Sequence, residues 1–98
     1  MELGQLRIFV AAAEGGGFSQ AARRLYLSHS TVSRCIRALE RELGVPLVRC
    51  SPHDFRLTEA GEALLEEARA LLRAAEQAQT RVRDAGNKEM RGQDHGAL

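Results

Sequence analysis

Residues 18–41 read Phe18-Ser-Gln-Ala-Ala-Arg-Arg-Leu-Tyr-Leu-Ser-His-Ser-Thr-Val-Ser-Arg-Cys-Ile-Arg-Ala-Leu-Glu-Arg41, and their pattern decides the fold. The stretch reads as a short helix, a tight polar break and a second helix with one apolar side. At about 100° per residue from Ser30, Val32, Ile36, Leu39 and Leu43 cluster near ~210°. Ser30, Ser33, Arg34, Arg37 and Arg41 gather around 0°, on the opposite side. That outer side carries hydroxyls and guanidinium groups but no acid. Small hydroxyls permit close approach, and guanidiniums bind phosphates and guanine edges, which is what a helix entering the DNA major groove requires.

The flanking sequence completes the frame. Leu6, Phe9, Val10 and Ala13 recur at helical spacing from Leu3 to Glu14, and Gly15-Gly16-Gly17 stops that first helix. Ser19 is expected to cap a second helix running to about Tyr26, with Ala21 and Ala22 permitting close helix packing. Leu27-Ser28-His29 makes the turn, and Ser28 or Ser30 caps a third helix ending at Gly44. Leu47-Val48-Arg49 and Phe55-Arg56-Leu57, joined by a turn over Cys50–Asp54, predict a small hairpin. Thr58 then caps a long helix to about Ala85, a rod of ~40 Å stopped by Gly86-Asn87. The fold class expected is mainly α, a winged helix-turn-helix of three helices and a two-stranded wing followed by a long C-terminal dimerisation helix. The divisions are 1–57, 58–86 and a disordered tail over 87–98.

Composition excludes several other classes. Ninety-eight residues suffice for one small domain. No apolar run approaches the ~20 residues of a membrane span and no signal peptide opens the chain, so a cytoplasmic protein without membrane contact is expected. Cys35 and Cys50 form neither a metal spacing nor a disulfide framework, so Cys35 reads as packing and Cys50 as a bystander thiol. The sequence contains no Ser/His/Asp set and no phosphate loop, so neither enzyme activity nor a cofactor is expected. Net charge is only +1, but residues 1–57 hold eight Arg against five acids, while residues 58–98 hold six basic against eight acidic residues. Positive charge thus concentrates on the helix-turn-helix, as a phosphate-assisted binder needs.

In the long helix, Leu64, Ala68, Leu71, Ala75, Ala78 and Val82 follow one another at steps of four and three, a heptad seam that Leu65 and Leu72 widen. A small domain cannot cover such a seam, and a second copy of the chain is the expected partner; a dimer and a tetramer both fit it. Glu62, Glu66 and Glu67 are expected to pair along the same helix with Arg69 and Arg73.

Taken together, the chain resembles the N-terminal domain of LysR-type transcriptional regulators over about residues 3–80. The resemblance is carried by Leu6–Glu14, Phe18–Leu25, Leu27-Ser28, Val32-Ser-Arg34, Ile36–Glu40, Leu43-Gly-Val-Pro-Leu47 and Arg56-Leu-Thr-Glu-Ala-Gly61. It implies that the third helix reads the major groove while the wing touches the flanking minor groove or backbone. It further implies that the long helices pack antiparallel in a dimer, which would recognise double-stranded DNA carrying an interrupted inverted repeat. By position, Ser28, His29, Ser30, Thr31, Ser33, Arg34 and Arg37 would face DNA. Ser19 and Gln20 would bind phosphate at the second helix's N-terminus. Arg23 and Arg24 divide evenly between phosphate and water.

This chain departs from the family at several positions. His29 stands where the family often has Gln. Val48 and Cys50 replace an aromatic residue and an Arg at the start of the wing, and Ser51-Pro-His-Asp54 lacks the usual arginines. The wing's contact is therefore expected to rest on His53 and Arg49. Family members continue into a two-lobed effector-binding domain, and nothing after Asn87 begins one, so the chain is expected to be truncated or naturally short, without an inducer site. The weak wing also motivates a second reading, an interaction module that pairs with a full-length regulator without strong DNA contact.

Overall fold

The structure is a computed structural model that describes the backbone of residues 1–96 and the side chains of residues 1–90. Its elements are α1 (Leu3–Gly15), α2 (Phe18–Leu25), α3 (His29–Leu43), β1 (Val48–Ser51), β2 (Asp54–Leu57) and α4 (Glu59–Gly96). Helix α1 lies at the centre. Its Leu6, Phe9, Val10, Ala11 and Ala12 are all buried, because α2, α3 and α4 pack around it. Phe18, Ala21 and Ala22 enter the core from α2; Val32, Ile36 and Leu39 from α3; Leu47 and Val48 from the start of the wing; and Leu64 and Ala68 from α4. Each large side chain fully withdrawn from water contributes about 1.5–3 kcal/mol, so Phe9, Leu6, Ile36, Leu39, Leu47 and Val32 dominate the stability.

The helix ends follow local chemistry. Gly16 and Gly44 adopt left-handed backbone with φ of 80° and 74°, which a residue with a Cβ resists, and their N–H groups return to Ala12 and Glu40 carbonyls. Tyr26 closes α2 at φ 57°, the one left-handed residue other than glycine among the described residues. It is 95% exposed, so no packing offsets a strain of about 1 kcal/mol. Ser28 caps α3 as expected, its Oγ accepting the Thr31 N–H at 3.1 Å. Ser19 does not cap α2. Gly17 holds that position and Phe18 opens the helix, because the buried Phe18 ring is drawn into the core one residue before the polar Ser19.

The wing is tighter than the sequence suggests. Val48 pairs with Leu57 and Ser51 with Asp54 in antiparallel register, so Cys50 belongs to a strand and the turn is only Pro52-His53. Proline's fixed φ suits the first central position of such a turn. Thr58 knots the wing to α4. Its N–H donates to the Leu47 carbonyl at 3.0 Å, its hydroxyl donates to the Pro46 carbonyl at 2.7 Å, and its Oγ1 accepts the Gly61 N–H at 3.0 Å.

Helix α4 departs most from expectation. It has 38 residues, a rod of about 57 Å, and it runs through Gly86 and Asn87 instead of ending there. A glycine stop requires left-handed backbone, which Gly86 does not adopt. A helical glycine costs only about 1 kcal/mol, which does not by itself end a helix. The backbone expected to be a disordered tail is therefore helical to Gly96; residues 97–98 and the side chains of 91–98 lie outside the described residues. The boundary expected at 57/58 also separates elements and not packing units, since Leu64 and Ala68 are integral to the core.

Of the described glycines, Gly61 has the least room for a side chain. A Cβ built there would sit on the Leu47 carbonyl oxygen, with the Leu57 Cβ at 3.3 Å. Gly61→Ala must push α4 away from the wing and should lower stability by roughly 2–4 kcal/mol. A urea denaturation midpoint indistinguishable from wild type would refute this packing.

Candidate nucleic-acid interface

Two surfaces gather the residues singled out in the sequence. The first is a cleft of about 680 Å³ between the N-termini of α2 and α3 and the wing. Ser19, Gln20, His29, Ser33 and His53 all line it, together with Gly16, Gly17, Phe18 and Cys50 to Phe55. The second is the outer face of α3, where Ser30, Arg34 and Arg41 are exposed. The structure thus places the turn, the N-terminus of α3 and the wing on one side of the domain.

Phe18 organises the junction between them. Its ring meets His29 of α3 and Phe55 of β2 edge to face, each with centroids 5.8 Å apart, and the Arg37 guanidinium lies 5.8 Å from its centroid. Such contacts contribute about 0.5–1.5 kcal/mol each beyond area burial. Their geometric effect is larger, because one side chain aligns α2, α3 and the wing. Gln20 folds back over the glycine turn: a Cβ on Gly17 would lie 2.6 Å from its Oε1, and one on Gly15 2.9 Å from its Cβ.

The hydroxyls are not equivalent. Ser28 Oγ lies 2.8 Å from Thr31 Oγ1 and 3.2 Å from Ser30 Oγ while accepting the Thr31 N–H, so Ser28 and Thr31 are engaged in holding the first turn of α3. Thr31 is half-buried, and Ser30 is the more accessible hydroxyl.

The arginines also divide. Arg34 is exposed and makes only a 3.4 Å contact from Nε to the Ser30 carbonyl of its own helix. Arg37, also exposed, is not without an acid: its guanidinium pairs with Glu40 at 2.7 Å. Glu40 lies on the flank of α3 that faces the wing and is only 13% exposed. Its second oxygen accepts the N–H groups of Leu47 at 2.7 Å and Val48 at 3.4 Å. Arg24 is exposed but also carries a carboxylate partner, pairing with Glu14 at 3.2 Å. Arg69, expected to pair within its own helix, also reaches Glu14, at 3.0 Å. In the wing, Arg56 pairs with Asp54 at 3.0 Å, and His53 is exposed at the tip.

Sequence reasoning missed the residues that place these groups. Glu40 was visible as the one acid in a basic stretch, but its partners across the Gly44 turn were not. Phe18 and Phe55 gave no signal, because an aromatic contact between α2 and the wing has no fixed spacing in sequence. Cys35 is part-buried, its thiol directed at the Gln5 carbonyl at 3.8 Å and its pKa raised by burial, in keeping with packing. Among the described residues no group of three or more His, Cys, Asp and Glu could hold a metal ion, and no helix is long and apolar enough to cross a membrane.

Burial opposes the Glu40 charge, but the hydrogen bonds from Arg37, Leu47 and Val48 outweigh it and hold the carboxyl below its ordinary value of 4.5. A depressed folded-state pKa stabilises the fold above the ordinary value, and that contribution fades as pH falls through the folded one. Glu40→Gln should therefore cost about 2 kcal/mol at pH 7, and its stability should fall less steeply than that of wild type from pH 5 to pH 3. Parallel pH profiles in urea denaturation would contradict this role.

The sequence matches the family described as "Bacterial regulatory helix-turn-helix protein, lysR family" over residues 3–62. It is 47% identical over all 98 residues to the HTH-type transcriptional regulator TfdS of Cupriavidus pinatubonensis, covering 33% of that protein. Over 90 residues, 92% of this chain and 31% of the relative, it is 44% identical to the HTH-type transcriptional regulator ClcR of Pseudomonas putida. The chain thus spans about a third of the length of these curated relatives. Among solved structures, the CbnR DNA-binding domain in complex with DNA aligns with a TM-score of 0.85 at 43% identity, covering 88% of this chain and 99% of that one. The BenM DNA-binding domain bound to catB site 1 DNA aligns with a TM-score of 0.84 at 32% identity, covering 88% and 97%. With the matched segment running from the first turn of α1 to the first turn of α4, the chain belongs to the lysR family of bacterial regulatory helix-turn-helix proteins.

Proposed function

We propose that the chain reads double-stranded DNA as a dimer and serves as the DNA-binding part of a transcriptional regulator acting in the cytoplasm. The exposed Ser30/Arg34/Arg41 face of α3, set beside the cleft lined by Ser19, Gln20, His29 and His53, is the observation that carries this reading. Two DNA-bound neighbours of the same fold support it. In this arrangement Arg34 enters the groove, His29 and Ser30 lie at the entering end of α3, and Ser19 and Gln20 approach phosphate from the first turn of α2. Arg37, held by Glu40 and Phe18, meets the backbone in one fixed orientation.

The seam for a partner is shorter than the sequence suggests. Leu64 and Ala68 are 7% and 0% exposed and cannot reach a second chain, and Leu72 is half-buried against the domain's own core. Leu71 at 42%, Val82 at 71%, Ala78 and half-buried Ala75 are left to meet a partner. A two-fold pairing through these residues presents two copies of α3 to two half-sites, hence an interrupted inverted repeat.

Titration against duplex DNA at two salt concentrations tests the binding. Affinity should fall steeply between 50 and 200 mM salt, on the order of 10³-fold or more if six or more phosphates are contacted. Arg34→Ala should weaken binding by roughly 10- to 100-fold, either for every sequence or at one base position. Salt-independent or absent binding would refute the proposal.

Leu71→Asp should dissociate the dimer and reduce affinity for paired half-sites more than for a single one. A dimer that persists in analytical ultercentrifugation would remove Leu71 from the interface.

A further inference from the structure

Helix α4 meets the rest of the domain mainly through apolar contact with α1 and β2. Among the described residues its one side-chain polar contact with another helix is at Arg69, whose Nε and Nη2 donate to the same Glu14 oxygen at 3.2 and 3.0 Å. The other Glu14 oxygen accepts Nη1 of Arg24, in the last turn of α2, at 3.2 Å. One carboxylate at the end of α1 thus joins the helix preceding the recognition helix to the helix that carries the dimer seam.

Electrostatics within α1 do not favour this carboxylate, since a negative charge in the last turn of a helix opposes the macrodipole. Arg69, then Arg24, nonetheless hold Glu14 below the usual carboxylate range. Exposed ion pairs contribute little to stability, typically under about 1 kcal/mol, so the contact matters chiefly for geometry. Arg69 follows Ala68, the last fully buried residue of α4. Beyond half-buried Leu72 no residue of the helix packs against the core among the described residues. The ion pairs therefore sit near the point where α4 leaves the domain, where a small tilt has a large effect. From Arg69 to Val82 is about 20 Å of helix. A tilt of about 10° there displaces the seam by about 3.4 Å, one base step of B-DNA.

We infer that Glu14 is a positioning residue: by holding Arg24 and Arg69 together it fixes the angle between α4 and the DNA-facing unit, and so selects the separation of half-sites the dimer accepts. This rests on the dimeric DNA reading for its functional consequence, but not for the angle itself. Glu14 makes no contact with either DNA-facing surface, so the specificity it confers is one of spacing and not of base sequence.

Two measurements on Glu14→Gln and Arg69→Met test it. In the first, amide residual dipolar couplings from α2 and α4 of the free protein are fitted together. A single alignment tensor is expected for wild type, and separate tensors for each variant. In the second, affinity is measured for duplexes carrying two selected half-sites at a series of spacings. The preference of wild type for its best spacing over the adjacent ones should shrink by about threefold or more in either variant, the scale of one exposed ion pair. Affinity for a single half-site should be unchanged, and the double variant should behave like each single one. A shared tensor and an unaltered spacing profile in both variants would overturn the inference, as would a loss of affinity equal at every spacing. If wild type shows no spacing preference, the dimeric DNA reading fails, and the dipolar couplings still decide whether Glu14 sets the angle.

Discussion

The relation between α3 and the wing depends on the Glu40 carboxylate. Leu47 and Val48 share the core with α3, but apolar contact does not satisfy their N–H groups, which would otherwise be unpaired at the start of β1. Glu40 supplies the acceptor for both while its other oxygen restrains Arg37. A nearly buried charge is tolerable only when its hydrogen-bonding capacity is filled, and here it is filled from two elements. That requirement makes the carboxylate a geometric clamp. Phe18 completes it from the apolar side by packing against His29, Phe55 and the Arg37 guanidinium.

Charge on this domain therefore does two separate jobs. Arg24, Arg37, Arg56 and Arg69 are each engaged by a carboxylate and hold elements in place. Arg34 and Arg41 project from α3 without a carboxylate partner among the described residues, and these are the guanidiniums proposed to meet an anion. Counting arginines along a basic stretch cannot separate these roles, since the deciding acids lie elsewhere in the chain: Glu14 is ten residues from Arg24 and 55 from Arg69.

Much of the fold was legible in sequence because it rests on local rules. The apolar stripe Val32/Ile36/Leu39, the Ser28 cap, the left-handed Gly16 and Gly44 and the Thr58 cap all act within one or two helical turns, where spacing and residue type suffice. The family resemblance singled out the residues that line the two surfaces proposed to face DNA. What could not be read were contacts between elements: Phe18 opening α2 in place of Ser19 as cap, Glu40 reaching β1, and Leu64 and Ala68 turning inward from a seam that continues past them. A heptad pattern says which residues share a stripe, but not where along that stripe the domain ends and the partner begins. The Gly86-Asn87 stop failed for a related reason, because a glycine ends a helix only where the backbone turns left-handed.

The unequal surroundings of α4 have a thermodynamic consequence. Its first turns are cemented into a core, whereas residues 73–90 form a bare single helix whose cohesion comes from intrinsic propensity and neighbouring charges alone. Most of a helix's stability in a protein comes from packing its apolar face, which this stretch does not do within its own domain. If copies pair through this stretch as proposed, ellipticity of the chain becomes a function of dilution: as they separate, the outer rod frays toward coil while the globular portion keeps its shape, so that unfolding splits into an early non-cooperative loss and a later sharp one.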